Sequence, residues 1–241
     1  ATTLLLKNAL VIGTMDDQLR ELADASVFIR GNKVEAVGPA SELPDTADKV
    51  IDMTGHVLIP GLINTHHHMF QTLTRALPAA QNAELFDWLT ALYPVWQNIT
   101  PKMQQVATRT AMAELMLSGC TTAADHAYVY VNGTRLEDSV QAAQEMGMRF
   151  HAARGAMSLG QSKGGLPPDA LVEQDEQAIL KEMQRTVEVL HDSSSDAMIK
   201  VALAPCSPFS VTTDLMRETA ALARSYDVGL HTHTAENSKD L

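Results

Sequence analysis

Cysteine is scarce in this chain of 241 residues: Cys120 and Cys206 are the only two. They stand far apart and form no CxxC pair. The sequence therefore reads as a protein with reduced, buried thiols, not as a disulfide scaffold. Long apolar runs are missing as well, and no segment approaches the roughly 18 apolar residues of a membrane-spanning helix. The opening Ala1-Thr2-Thr3-Leu4-Leu5-Leu6-Lys7 lacks a charged stretch followed by a long apolar one, so it does not read as a signal peptide. Positive charge is short too, with 18 Lys and Arg against 29 Asp and Glu and a net charge of −11. Phosphate binding needs clustered Lys and Arg, so nucleic acid and anionic membrane are excluded as main partners. A small neutral nucleobase is not. We expect a cytoplasmic protein.

What is present is a globular composition, 45% hydrophobic and 20% charged, enough to bury a sizeable core. Residues 1 to about 59 read as all-β, the part of a small β-sandwich domain. Ala25–Arg30 and Lys33–Val37 flank Gly31-Asn32, a two-residue hairpin signal, and Val50–Met53 and His56–Ile59 flank Thr54-Gly55. From Pro60 the pattern changes to strands alternating with helices, which implies a parallel sheet. Strands are expected at Leu62–Asn64, Thr121–His126, Arg149–Arg154, Ile199–Ala204 and Gly229–His233. Leu85, Trp88, Leu89, Leu92 and Trp96 recur at helical spacing, as do Met103, Val106, Thr110, Ala113 and Leu117 after the Thr100-Pro101 start. Thr134-x-x-Glu137 reads as a capping box. Ile179, Met183, Val187 and Leu190 mark a fourth helix, and Leu215, Thr219, Leu222 and Tyr226 a fifth.

Polar residues gather at the C-terminal ends of these strands, where a (β/α)8 barrel carries its chemistry. Five of eight strands are counted, so residues 60–241 read as the first part of such a barrel, truncated after strand five. Residues i and i+2 of a strand share a face. His66 and His68 therefore point one way and His67 the other, and two inward imidazoles suit one divalent ion. His233 lies nearer its strand end than His231, which makes His233 the better ligand and His231 a structural residue. Glu236 stands just past that strand. A carboxylate there can take a proton from water and deliver it to a leaving nitrogen.

Pro60-Gly61-Leu62-Ile63-Asn64-Thr65-His66-His67-His68 together with His233-Thr234-Ala235-Glu236 resembles the amidohydrolase superfamily, in its nucleobase-deaminase and triazine-hydrolase branch. The resemblance covers the whole chain. It implies His66, His68 and His233 as ligands of one zinc ion and Glu236 as the proton shuttle; iron or manganese fits the same donors. That family also uses a histidine after strand six and an aspartate after strand eight, which have no counterpart before Leu241. Asp125 has the opposite parity to His126 and is not assigned to that role.

Gln71 stands three residues after His68, where guanine deaminases carry a glutamine that contacts the purine. Those enzymes have an arginine in a Pro-Arg-Phe-Ser run, and Cys206 of Pro205-Cys206-Ser207-Pro208-Phe209-Ser210 takes its place here. The run Arg149–Ser158 followed by Gly164-Gly165-Leu166-Pro167-Pro168 looks most like 8-oxoguanine deaminases. Arg154 can then donate to a substrate carbonyl or close an ion pair at its strand end, and His126 is a further pocket candidate. Trp88 reads as a core-facing aromatic and not as a cover over a flat ring. The resemblance implies a metal-dependent deaminase of a purine-like base, with a triazine hydrolase or a guanine or isocytosine deaminase as alternatives. An inactive metal-binding fragment is a reading of a different class. We expect a small-molecule heterocycle as partner, and a homo-oligomer. Gly160-Gln161-Ser162-Lys163-Gly164 matches a serine-hydrolase elbow, but no strand precedes it directly and no helix follows. The zinc signature of the cytidine deaminases is also missing, since there is no HxE.

Overall fold

The computed structural model describes residues 1–236. Two compact units divide between Gly61 and Leu62. The first is one five-stranded sheet built around β1 (Thr3–Gly13). β1 pairs antiparallel with β2 (Glu21–Arg30), and β2 with β3 (Lys33–Pro39), across a turn at Gly31 whose φ of +60 suits glycine. Ala9, Ile12, Ala25 and Val27 form its buried face. The runs on either side of Thr54-Gly55 are both strands, β4 (Lys49–Asp52) and β5 (Val57–Leu58). They do not form a hairpin with each other. β1 is 11 residues long, and its free edge takes both in parallel, β4 beside Leu4–Lys7 and β5 beside Val11-Ile12.

The second unit alternates as the sequence pattern predicts. β6 (Leu62–Asn64) leads through α1 (Leu85–Trp96) and α2 (Pro101–Leu117) to β7 (Cys120–Ala127). α3 (Leu136–Met146), β8 (Arg149–Ala156), α4 (Glu176–Leu190), β9 (Ile199–Pro205), α5 (Thr213–Ser225) and β10 (Gly229–Leu230) follow. All the pairings are parallel and the strands stand in sequence order, the arrangement of the front of a (β/α)8 barrel. Strand parity divides the sheet. Ala123, Ala127, Phe150, Ala152, Val201 and Leu203 enter the core shared with Val140, Ile179, Met183 and Leu215 of the helices. Ala153, Ala202 and Ala204 form a separate small cluster.

Two local expectations change. α2 starts as predicted, with Thr100 Oγ1 accepting from Met103 N–H at 3.3 Å. Its buried face, however, is Gln104, Ala107, Thr108, Ala111 and Met112, while Met103, Val106 and Leu117 are exposed. Small residues bring α3 close, and Gln104 Nε2 donates to Ser139 Oγ at 2.8 Å. The start of α3 lies one residue later than the capping-box reading. Asp138 accepts from Arg135 N–H at 2.8 Å, and Thr134 instead closes the preceding turn on Val131 N–H.

β7 and β8 touch at Gly155. A Cβ there would run into the Ala127 carbonyl oxygen and lie 2.7 Å from Tyr128 Cβ. Gly155→Ala should therefore destabilise the protein by about 1–3 kcal/mol, the usual scale of overpacking. Urea unfolding checks this, and an unchanged midpoint would contradict so close an approach.

Candidate metal centre

Three imidazole nitrogens converge beyond the strand ends. His66 Nε2 lies 3.1 Å from His68 Nε2 and 3.1 Å from His233 Nε2, and the last two are 3.2 Å apart. Backbone carbonyls set two of the rings. His66 N–H donates to Asn64 Oδ1. His68 Nδ1 lies 2.7 Å from the His126 carbonyl oxygen, and His233 Nδ1 lies 2.7 Å from the Cys206 carbonyl oxygen. A carbonyl oxygen only accepts, so both Nδ1 atoms carry the proton and both Nε2 atoms carry lone pairs. The His68–His233 approach is therefore not a hydrogen bond. It sets two lone pairs face to face, an arrangement that calls for a cation. Burial pushes His68 down to about 3 and lowers His66, so neither of these rings readily takes up a proton to fill that role. Bonds of about 2.0–2.1 Å to one tetrahedral ion would put nitrogens roughly 3.3 Å apart, close to the spacing observed. The three residues fit a divalent metal.

The ladder of β10 ends at Leu230, three residues before the expected strand does. The chain still runs beside β9, since His231 N–H donates to Leu203 O and His233 N–H to Cys206 O. His126 is fully buried on β7. Its Nδ1 lies 3.1 Å from His231 Nδ1, and its Nε2 has no partner among the described residues. With Cys206 and His233 it forms a second group of possible ligand atoms within 4.8 Å of one another. His231 is bound up with His126 as a structural residue would be. Asp125, of opposite parity, accepts from Met69 N–H at 2.7 Å, and burial pushes its carboxyl up to about 7.

A cleft of about 180 Å³ opens beside His66, His68 and His233 and includes Glu236, Gln71 and Cys206. Its walls are Leu85, Trp88, Leu89, Tyr93, Tyr128, Met157 and Phe209, with Ser207 and Ser210. Gln71 Nε2 donates to Tyr128 Oη at 2.9 Å. Burial pushes the Cys206 thiol up to about 12, so it is neutral near pH 7. Trp88, expected in the core, is half-buried on the cleft wall, because Trp96 takes the core position and Trp88 packs edge-on against it. Tyr128 was missed. It follows His126 by two residues, and that parity would have found it.

Arg154 does not line the cleft. It shares parity with Phe150 and Ala152, which turns it to the helix side of β8. There it is 2% exposed, bonds Glu173 through two nitrogens at 2.7 and 2.8 Å, and stacks on Tyr130 at 3.9 Å. Of its two readings from sequence, the ion pair is the one formed. Ser162 of the GxSxG run is exposed on a loop, its hydroxyl donating to Asp169. No histidine sits beside it in the way a serine nucleophile needs among the described residues.

Fold and site together define a barrel-type α/β segment with a divalent-metal seat at its C-terminal strand ends. The chain belongs to the amidohydrolase family, whose profile matches residues 57–241. It is similar to an 8-oxoguanine deaminase of Pseudomonas aeruginosa, 45% identical over 96% of this chain and 51% of that protein. A hydroxydechloroatrazine ethylaminohydrolase of Pseudomonas sp. strain ADP is 36% identical over 89% of this chain and 47% of its own length. The crystal structure of an atrazine chlorohydrolase from Arthrobacter aurescens TC1 complexed with zinc superposes with a TM-score of 0.88. It is 31% identical, over 96% of this chain and 52% of that one. The chain thus spans about half the length of the relatives it matches. Among the described residues no helix is long and apolar enough to cross a membrane.

The His68 shift has a consequence for stability. Its folded value, about 3, lies below the ordinary value of about 6.5, so on acidification the unfolded chain takes up the proton first. Stability from this group is complete above the ordinary value and is lost as pH falls toward the folded one. Chelator-treated protein should melt at a lower temperature at about pH 5 than at about pH 7.5, and less steeply so in a His68→Gln variant. Equal slopes in the two proteins would contradict the buried, neutral state of His68.

Proposed function

We propose that this chain carries the metal seat and the proton shuttle of an aminohydrolase that deaminates a purine-like base, 8-oxoguanine in preference to others. The observation that carries the reading is the convergence of three Nε2 atoms at 3.1–3.2 Å beside a cleft that also holds Glu236. His66, His68 and His233 would hold zinc. A divalent ion so held supplies Lewis-acid activation of water near neutral pH.

The remaining chemistry belongs to the side chains. Glu236 takes one proton from the attacking water and gives it to the ring nitrogen, then carries the second proton from the new hydroxyl to the amine as the C–N bond breaks, so that 8-oxoguanine and water yield urate and ammonia. Ala235 has a φ of +52, a left-handed turn that leads the chain into Glu236 after His233. A cleft of about 180 Å³ is smaller than the roughly 300–1,000 Å³ of drug-sized sites and suits one flat heterocycle. Trp88, Tyr93, Tyr128 and Phe209 offer ring faces and edges to it. Gln71 and Tyr128 read its polar edge, while Cys206 stands where guanine deaminases carry an arginine. The similarity to the 8-oxoguanine deaminase supports the purine. The likeness to the zinc-bound atrazine chlorohydrolase favours a triazine as the second reading.

Ammonia release from 8-oxoguanine, guanine, isocytosine and a hydroxytriazine, compared on the full natural polypeptide, tests this. 8-Oxoguanine should be turned over fastest. No turnover of the first three sinks the purine assignment. Glu236→Gln should retain the metal and lose about 10²–10⁴-fold in rate, the scale of general acid–base catalysis. Unimpaired turnover by that variant would remove Glu236 from the proton path. His233→Ala should lose the metal, as read by elemental analysis.

A further inference from the structure

Just past His68 the chain turns into a short 3-10 helix, Met69–Thr74. The end of β7 holds this corner through three hydrogen bonds. His126 N–H donates to His67 O at 2.9 Å, His68 Nδ1 to His126 O at 2.7 Å, and Met69 N–H to Asp125 Oδ1 at 2.7 Å. The first two use the backbone of β7, which any residue supplies. The third needs a side chain of the right length and an acceptor atom.

Asp125 and Met69 are both 0% exposed, so water cannot replace this bond. Asp125 Oδ2 has no partner among the described residues. A buried carboxyl with one oxygen unpaired costs stability. Packing alone gives no reason to keep an acid here. Position does: the bond is one peptide away from a ligand whose ring must aim at a point shared with two others.

We propose that Asp125 is a positioning residue of the metal seat. By holding Met69 N–H it fixes the corner after His68, and so the direction of His68 Nε2. It acts through its acceptor oxygen, not through its charge. The proposal rests on the reading of His66, His68 and His233 as metal ligands and is independent of the substrate.

The test uses the full natural polypeptide and two readouts, zinc affinity against a chromophoric chelator and the visible spectrum of the cobalt-substituted protein. Asp125→Ala should weaken zinc binding by about 10- to 100-fold, the scale for groups that orient ligands, and alter the cobalt spectrum. Asp125→Asn keeps the acceptor and should restore both. Met148→Ala, a core variant away from this corner, should lower the melting temperature and leave zinc affinity unchanged. If Asp125→Ala does not fold, Asp125→Glu replaces it. Glu keeps the acceptor but displaces it by one methylene, and the same loss of affinity is expected. A folded Ala or Glu variant with wild-type zinc affinity overturns the proposal, and so does an Asn variant as weak as the Ala variant. If His68→Ala also leaves zinc affinity unchanged, the metal-seat reading itself has failed. A loss with His68→Ala but none with Asp125→Ala defeats only the positioning role.

Discussion

Two carbonyl oxygens, those of His126 and Cys206, decide the character of this site. Each takes the Nδ1 proton of a histidine at 2.7 Å and so leaves the opposite nitrogen bare. Parallel pairing supplies both oxygens: β7 lies beside β6, and β9 beside β10. The contact also sets the shape of the sheet. β6 and β10 are its two edges, and in a flat sheet five strands at about 4.8 Å spacing would hold them roughly 19 Å apart. Yet His66 Nε2 and His233 Nε2 lie 3.1 Å apart. Only a sheet curled toward closure brings its edges' side chains together in that way. The facing lone pairs are what such curling costs without a cation, and what it gains with one.

Much of the site is legible in the sequence because strand parity is a strict rule. It separates His66 and His68 from His67, whereas His231 and His233 share a face and are told apart by depth along the strand. Applied one step further, the same rule pairs Tyr128 with His126 at the cleft. It also sends Arg154 with Phe150 and Ala152 to the helix side, where Glu173 and Tyr130 receive it. Helix faces are less legible. In α2 the apolar positions Met103, Val106 and Leu117 are exposed, and the contact is chosen by small residues and by a Gln104–Ser139 hydrogen bond. Periodicity weighs apolar side chains; it gives no weight to the close approach that alanine permits. The pairing of β4 and β5 with β1 was hidden for a related reason. Turn residues at Thr54-Gly55 report that the chain bends, but not which strand waits on the far side.

Glu236 is the one acidic side chain that lines the cleft among the described residues. Gln71 and Tyr128 are uncharged, burial keeps Cys206 protonated, and the one buried arginine nearby is committed to Glu173. No lysine or arginine lines the cleft among the described residues, so positive charge there would come from an ion held by His66, His68 and His233. Arg154 is committed to Glu173 on the helix side of β8, so strand parity keeps its charge out of the cleft.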